Sequence, residues 1–336
     1  MSGNVAVIVV NYGTADLAMK AVESVLARSH GGRTVDIHLV DNASPGNDAK
    51  KIQEMYEQKG WRDLGVKLWL EGKNHGFGAG NNVVLNSLSL DTSPPEFVFL
   101  LNSDAWLENE AIEVLAQTLE MNEQAGGVGA GILHEDGRPA VAAFRFPSIY
   151  NEIGRTLGLG FVERLFSKYR TALPPEHSGT VDWVAGASVM FRYRAIEEVG
   201  FFDPIYFLYF EEVDLMRNMQ KAGWKILYNT EAKVTHIAGV STKVKTGSYL
   251  DTPQPRFFYD SWKNYYLKQH GWTYAASTAL VVAIGAMINQ VLSTIRRKKT
   301  GLPYRFLRDH VKFVVFPLLL KVRSNRSTIS PLDSKQ

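Results

Sequence analysis

Residues 97–105 have the sequence Phe-Val-Phe-Leu-Leu-Asn-Ser-Asp-Ala, in which an apolar run of strand length changes abruptly to polar residues. A continuous apolar run of this length is typical of a strand buried on both faces of a parallel sheet. Because ligands of open α/β sheets bind at the carboxyl ends of the strands, Asn102, Ser103 and Asp104 are predicted to lie where a substrate binds. Asp104 is therefore a candidate ligand for a divalent cation, or alternatively an acceptor of backbone hydrogen bonds in a turn.

The residues before this stretch alternate between predicted strands and predicted helices. Strands are predicted at residues 5–10, 37–40 and 66–70. Helices follow the first two at about residues 17–26 and 49–59, and residues 74–82 open a third helix that runs through residues 83–88. This alternation predicts an α/β fold with a mostly parallel sheet covered by helices. Asn11 and Tyr12 follow the first strand and Asp41 ends the second, so all three are expected at the same edge as Asp104.

A dinucleotide-binding fold is an alternative for this half of the chain. Asp41 ends a strand, and Gly76, Gly78 and Gly80 precede a helix, as they would in a phosphate-binding loop. In the dinucleotide fold, however, the glycines follow the first strand, whereas here they follow the third. Asn81 stands where the third glycine of that motif belongs. The sequence therefore disfavours this alternative.

The second half of the chain has a less uniform pattern. A helix is predicted at about residues 109–123 with Asn109 as its N-cap, and strands at residues 128–133, 181–191, 224–228 and 233–237, with a less regular stretch at 144–175. Small residues in the middle of the 181–191 strand leave room for a ligand or a close backbone. His236 lies at the end of the last of these strands. A lone histidine is more often structural, but its strand-end position makes it a candidate ligand.

Three acids, Glu211, Glu212 and Asp214, follow an aromatic run and begin a predicted helix. Acids in the first turn of a helix interact favourably with its macrodipole, which would explain Glu211 and Glu212 without any chemistry. The functional interpretation is that one carboxylate is a general base and its neighbours position it.

Composition and charge limit the possible classes of protein. The chain has 336 residues and no cysteine, which excludes disulfides, cysteine-bound zinc and thiol catalysis and is consistent with a reducing compartment. The apolar N-terminal run has no basic region before it and predicts a strand, not a signal peptide. Residues 296–326 contain ten Lys or Arg and one acid, so this segment has a charge of +9 and the remainder −6. A basic tail of this kind is expected to meet an anionic partner, such as a membrane surface or a nucleic acid.

Six motifs, taken in order from residue 5 to residue 271, resemble family 2 glycosyltransferases of the GT-A fold, and most closely their bacterial rhamnosyltransferase-like branch. The motifs are VIVVNYGTAD, LVDNASP, NHGFGAGNN, LLNSDA, VDWVAGASVMFRYRAIEEVGFFDPIYFLYFEEVDLMR and THIAG. Each motif is weak alone, but six in this order are specific. The resemblance implies a GT-A domain at residues 1–270, with a nucleotide-binding half (1–105) and an acceptor or catalytic half (106–270), followed by a basic, partly apolar helical region at 271–336.

The resemblance also implies roles for individual residues. The nucleotide-sugar would be bound by Asn11, Tyr12, Asp41, Asn74, Gly76, Phe77, Asn81, Asn102 and Ser103, and the acceptor by Trp183, Gly186 and Ala187. Asn102 replaces the first acid of the family's metal motif, so the divalent metal, Mg²⁺ or Mn²⁺, would depend on Asp104, the diphosphate and His236. Glu212 takes the place of the catalytic base, with Glu211 as the alternative and Asp214 as support.

The implied activity is the inverting transfer of a sugar, with dTDP-L-rhamnose as the best candidate donor, to a saccharide or polyprenyl-diphosphate-linked acceptor in cell-surface polysaccharide synthesis. The alternatives are a galactofuranosyl- or other hexosyltransferase that uses a UDP-sugar, and a non-catalytic nucleotide-sugar-binding module. The basic tail has no accompanying nucleic-acid-binding motif, so a nucleic-acid partner is not expected. The expected location is cytoplasmic, at the inner face of the membrane. Residues 271–295 are predicted to lie on the membrane surface or to form an oligomer in preference to spanning the bilayer.

Overall fold

The computed structural model describes residues 3–237 and 250–320. Within these ranges the chain divides into two compact units. Unit 1 contains residues 3–144, 172–204 and 212–237, and unit 2 contains residues 145–171, 205–211 and 250–320. Ala238 and Gly239 of the THIAG motif and residues 321–336 of the predicted C-terminal region lie outside the described ranges.

Unit 1 is an α/β unit that begins with the predicted alternation of strands and helices. Its strands are β1 (Val5–Asn11), β2 (Val35–Asp41), β3 (Val66–Leu70), β4 (Phe97–Asn102), β5 (Ala105–Leu107), β6 (Ala125–Leu133), β7 (Ala143–Phe144), β8 (Gly179–Val181), β9 (Trp183–Val184), β10 (Ser188–Arg192) and β11 (Lys225–His236). Its helices are α1 (Ala15–Leu26), α2 (Asp48–Gln58), α3 (Phe77–Leu88), α4 (Ala111–Glu120), α7 (Tyr193–Glu198) and α8 (Glu211–Lys221), whose first residue belongs to unit 2.

The main sheet of the described residues has the strand order β3-β2-β1-β4-β10-β6-β11-β5, and β8 pairs with β11. The N-terminal half of the sheet is parallel, because β1 pairs in parallel with both β2 and β4 and β2 pairs in parallel with β3. β10 enters antiparallel between β4 and β6. The predicted α/β fold with a mostly parallel, helix-covered sheet is confirmed. The apolar residues of β1 and β4 are buried on both faces, as a central strand requires.

Three elements differ from the sequence-based predictions. The predicted strand at residues 181–191 is three separate strands, because β8 pairs with β11, β9 pairs with β7, and β10 pairs with β4 and β6. The two strands predicted at residues 224–237 are the single strand β11, which has a register shift between Asn229 and Lys233 where it pairs with β6. Helix α4 begins at Ala111 after Glu110, since Asn109 instead binds the backbone of β11.

Unit 2 is helical in its described part. Its helices are α5 (Ile149–Leu157), α6 (Gly160–Leu165), α9 (Arg256–Ile295), α10 (Phe306–His310) and α11 (Phe316–Leu319). The first two lie in the stretch for which the sequence predicted little regular structure. Gly271, at which the sequence analysis placed a domain boundary, lies within α9 and kinks it with a φ of 80°. Among the described helices only α9 is long and apolar enough to cross a membrane, a test of length and composition that the core helix of a soluble protein also passes. In its most apolar 18-residue segment, 33% of the residues are buried.

Candidate active site

The carboxyl ends of β1, β2 and β4 bring the predicted polar residues to one edge of the sheet in unit 1. Asn11 is in register with Asp41, and Val10 is in register with Asn102. Ser103 and Asp104 continue from β4 at the same edge. This placement follows from the parallel pairing, because three parallel strands in register must end together.

Hydrogen bonds between buried side chains fix this edge. Asn11 Nδ2 donates to Asp41 Oδ1 at 2.9 Å and to Ser44 Oγ at 3.0 Å. Asn11 Oδ1 accepts from the Thr14 hydroxyl at 2.9 Å, and that hydroxyl lies 2.9 Å from Ser103 Oγ. Asn11 is 0% exposed and Asp41 is 1% exposed. The Asn11 side chain therefore positions the Asp41 carboxylate. Tyr12, which directly follows β1, is half-buried.

A second network shapes the loop that leads into α3. Asn42 donates to Asn74 Oδ1 at 3.1 Å and to the Gly76 carbonyl at 3.0 Å, and it accepts from the His75 amide at 3.0 Å. Gly76 has a φ of 80°, a conformation that favours glycine. Asn81 is 1% exposed and donates to the Phe77 carbonyl within the helix, so its amide points into the protein.

Asn42, Thr14 and Ser44 also belong to these networks, although no role was predicted for them from the sequence. Each follows the observed end of β1 or β2 by one to three residues. The available signal was a cluster of Asn, Ser and Thr in turns, whose side chains commonly bind nearby backbone groups. Which distant side chain each one contacts depends on the sheet register and is not visible in the sequence.

Asp104 and His236 meet beside the end of β4. The antiparallel pairing of β5 with β11 places His236 opposite Ala105, and His236 Nε2 lies 3.0 Å from Asp104 Oδ1. Asn102 Nδ2 lies 3.3 Å from the same ring nitrogen. Asn102 Oδ1 is enclosed and has no hydrogen-bond partner among the residues that the structure describes. Asn102 and Asp104 thus meet His236, which lies more than 130 residues later in the chain.

The donor set at this point fits a divalent cation. Carboxylate oxygens suit Mg²⁺ and Mn²⁺, and imidazole nitrogen is a common ligand of transition metals. Asp104 Oδ1 and His236 Nε2 lie 3.0 Å apart, so the two side chains would be able to hold one cation together. No group of three or more His, Cys, Asp or Glu side chains is arranged for a metal within residues 3–237 and 250–320. Phosphate oxygens of a bound nucleotide would have to supply further ligands.

Glu212 lies in the first turn of α8, close to the residues predicted to bind the acceptor. A Cβ atom added to Gly186 would lie 3.0 Å from Phe77 Cε1 and 3.9 Å from Glu212 Cβ, so the three residues lie next to one another. Burial raises the pKa of Glu212 to about 7, against the lowering effect of backbone hydrogen bonds near the start of the helix. Its Oε2 has no hydrogen-bond partner among the described residues. A carboxylate with such a pKa is suited to accept a proton near neutral pH.

The other candidate acids and acceptor residues have different surroundings. Asp214 is 1% exposed and accepts from Asn218 within α8, and its position two residues after Glu212 places it on another face of the helix. Glu211 is 3% exposed. Trp183 stacks on Phe144 with their ring centroids 4.2 Å apart. The Ala187 carbonyl accepts a hydrogen bond from the Asn102 backbone N–H at 2.9 Å, which joins the predicted acceptor segment to the end of β4.

Backbone strain occurs immediately before α8. Tyr209 and Phe210 have φ angles of 69° and 68°, in the left-handed region that bulky residues rarely adopt. Strained residues of this kind are frequent at functional sites, where the surrounding structure holds them in place.

Comparison with known proteins defines the protein family. A sequence profile described as "Glycosyltransferase like family 2" matches residues 3–251. The chain therefore belongs to glycosyltransferase family 2 and is a glycosyltransferase. It is 27% identical over 281 residues to the N-acetylglucosaminyl-diphospho-decaprenol L-rhamnosyltransferase of Mycobacterium tuberculosis, with 80% of this chain and 89% of the relative covered. It is 23% identical over 245 residues to the rhamnosyltransferase WbbL of Escherichia coli, with coverage of 70% and 83%.

Solved structures show that the fold is GT-A. GalNAc-T7 with UDP, GalNAc and Mn²⁺ superposes with a TM-score of 0.57 at 14% identity, covering 95% of this chain and 58% of that one. TarS 1-349 of Staphylococcus aureus superposes with a TM-score of 0.50 at 14% identity, covering 94% of this chain and 82% of that one. The predicted family and fold are confirmed.

Proposed function

We propose that this protein is an inverting glycosyltransferase that moves a sugar from a nucleotide-diphospho-sugar, with dTDP-L-rhamnose as the first candidate, to a saccharide or lipid-linked saccharide. The observation that carries the proposal is the geometry of unit 1, in which Glu212, with its raised pKa, lies beside Gly186 and Phe77. The same unit contains the Asp104–His236 pair. The names of the two rhamnosyltransferase relatives support rhamnose as the sugar.

In the proposed mechanism the edge of the sheet binds the donor. Asp41, held by Asn11, accepts a hydrogen bond from the base, and the loop from Asn74 to Phe77 lies along the diphosphate and the sugar. Asp104 and His236 would bind a divalent cation, which would neutralise charge on the departing diphosphate. The Mn²⁺ with which the GalNAc-T7 structure was solved supports the use of a divalent metal.

Glu212 would act on the acceptor. Its carboxylate would take the proton from the acceptor hydroxyl while that oxygen attacks the anomeric carbon and the bond to the nucleoside diphosphate breaks. Proton transfer of this kind typically contributes about 10² to 10⁴ in rate. A single displacement inverts the anomeric centre. Burial of the carboxylate raises the pKa of Glu212 to about 7, which suits a general base that acts near neutral pH.

The proposed acceptor is a saccharide on a polyprenyl diphosphate, in cell-surface polysaccharide synthesis. The support is the name of the mycobacterial relative, which acts on a decaprenol-linked sugar. A lipid of this kind would place the reaction at the cytoplasmic face of a membrane. A hexosyltransferase that uses a UDP-sugar is the second candidate, because GalNAc-T7 shares the fold and was solved with UDP.

A donor screen tests the proposal. Purified protein is incubated with Mn²⁺ or Mg²⁺ and a panel of dTDP-, UDP- and GDP-sugars, and both nucleotide release and protection against thermal unfolding are measured, since a ligand that binds the native state stabilises it. We expect dTDP-L-rhamnose to give the largest effect with metal present. Protection by a UDP-sugar alone would select the second candidate. Protection without any turnover on supplied acceptors would instead indicate a non-catalytic binding module.

A further inference from the structure

The second half of α9 has an apolar face that the described part of unit 2 leaves uncovered. Residues 272–295 contain no charged side chain. Six large apolar side chains on this segment, which we call the apolar stripe, are between 38% and 73% exposed: Leu280, Ile284, Met287, Ile288, Val291 and Ile295. Their spacings of three or four residues place them along one side of the helix, over about 22 Å. The solvent face of a helix in a soluble protein is normally polar.

The opposite face of the same segment packs inside unit 2. His310 Nε2 lies 3.1 Å from the Ala279 carbonyl, and Asn289 donates to the Thr156 carbonyl at 2.9 Å. Gly285 faces Thr156 so closely that an added Cβ would lie 2.5 Å from its hydroxyl. The buried side is otherwise lined by small apolar residues such as Ala279, Val282 and Ala286, so the segment is largely apolar on both sides. A helix that is apolar all round is normally buried, either in a protein core or in a membrane.

Positive charge lies directly beyond the stripe. Arg296, Arg297, Lys298 and Lys299 follow its last residue. Lys299 pairs with Asp251 at 3.0 Å, whereas the other three have no ion-pair partner among the described residues. Between residues 271 and 320 the sequence has seven Lys or Arg and one acid, Asp309. That acid is 3% exposed and pairs with Arg308.

We propose that the apolar stripe and the adjacent run Arg296–Lys299 form a docking surface for a bilayer of anionic phospholipid. The apolar side chains would enter the boundary between headgroups and acyl chains, while the basic run binds lipid phosphates. Charge favours this partner over a second copy of the chain. The one acid of residues 271–320, Asp309, is buried, and the exposed Asp251 already pairs with Lys299. An identical surface therefore offers little complement to the basic run, whereas an anionic headgroup layer supplies one.

Docking of this kind would bring the enzyme to a lipid-linked acceptor, and this consequence rests on the proposed function. The docking itself does not, because it is measured without sugar transfer. Failure of the donor screen would therefore leave the docking surface in place, and failure of vesicle binding would leave the glycosyltransferase assignment in place.

Sedimentation with vesicles tests the docking surface. The full chain is mixed with vesicles of phosphatidylglycerol and phosphatidylcholine, or of phosphatidylcholine alone, at low and high salt. We expect binding to the anionic vesicles that weakens with salt. In the double variant Ile284→Glu/Val291→Glu the lipid concentration for half-maximal binding should rise at least tenfold. The matched control is Leu64→Glu/Leu90→Glu, which changes two exposed leucines of unit 1 and should bind like the parent.

A second variant keeps the test decisive if the double variant does not fold by circular dichroism. Alanine at Arg296, Arg297, Lys298 and Lys299 removes only exposed charges and should abolish the preference for anionic vesicles. The proposal is overturned if the parent ignores anionic vesicles at low salt, or if both variants bind them like the parent. Light scattering that shows a dimer, made monomeric by Ile284→Glu/Val291→Glu without loss of vesicle binding, would also overturn it and identify a second copy as the partner.

Discussion

The strand ends of unit 1 and the apolar stripe of unit 2 depart from the usual distribution of residues in opposite ways. At the strand ends polar side chains are buried, as for Asn11, Asp41 and Asp104, whose exposures are 0%, 1% and 4%. In the stripe apolar side chains are exposed, and Ile295 reaches 73%. Both arrangements cost free energy unless a partner compensates. In the proposed function a charged small molecule is the partner of unit 1, and in the proposed docking an anionic bilayer is the partner of unit 2.

The largest expected effect follows from removing the carboxylate at the strand edge. Asp104→Ala should lower metal-dependent sugar transfer by about 10⁴-fold, because a bound metal contributes several kcal/mol to stabilising the leaving group. Thermal melting should stay close to that of the parent, since Asp104 lies in the turn between β4 and β5 and is not part of the apolar core. Asp91→Ala, at an exposed turn, is the matched control. Unchanged turnover in Asp104→Ala would remove the metal assignment.

The next effect concerns the proton acceptor. Glu212→Gln should reduce kcat by about 10³-fold with little change in donor KM, because the amide keeps the shape of the side chain but cannot accept a proton. In the parent, kcat/KM should rise with pH through about 7, as the Glu212 carboxylate ionises. If Glu211→Gln loses kcat while Glu212→Gln does not, the base is Glu211.

A smaller effect is expected from the second metal ligand. His236→Ala should raise the Mn²⁺ concentration for half-maximal activity by at least about tenfold. Even the loss of a residue that only supports a metal ligand typically lowers metal affinity by about 10- to 100-fold. The titration of activity with Mn²⁺ measures this effect directly. His134→Ala, at a turn of the same unit, serves as the control. Identical titrations for His236→Ala and the parent would restrict His236 to a structural role.

Stability should reveal the raised pKa of Glu212 without any substrate. Between the ordinary pKa of a glutamate, near 4.5, and the folded value of about 7, the native state binds more protons than the unfolded state. Ionisation of the Glu212 carboxylate therefore lowers the free energy of unfolding as the pH rises through this window. Glu212→Gln should melt a few degrees higher than the parent at pH 8 and show little difference at pH 4.5. Equal differences at both pH values would contradict the shift.

The smallest expected effect separates the two regions most clearly. Ile284→Glu/Val291→Glu should transfer sugar to a short-chain, water-soluble acceptor within about twofold of the parent, because each unit has its own packed core. The same assay with an acceptor embedded in anionic vesicles should show a loss. An equal loss with both acceptors would mean that the stripe supports unit 1 and is not a separate docking surface.

The sequence alone determined the fold class because apolar runs and turn residues are local properties. The buried runs at residues 5–10 and 97–101 required a central parallel sheet, and the polar residues that follow them had to lie at one edge. The same reasoning anticipated Asp104 as a strand-end acid, and the order of six motifs anticipated the family. The uncharged segment before Arg296 was likewise visible from composition.

Only the tertiary structure decided which of these residues meet. The distance of 3.0 Å between Asp104 and His236 depends on the antiparallel pairing of β5 with β11, which no local pattern encodes. Asn11 points inward because β1 and β2 are in register, which a strand-end position alone does not specify. The break of residues 181–191 into three strands and the choice of the uncovered face of α9 also depend on packing against distant segments. Local chemistry determines what each residue can do, and the pairing of distant strands and helices determines what it contacts.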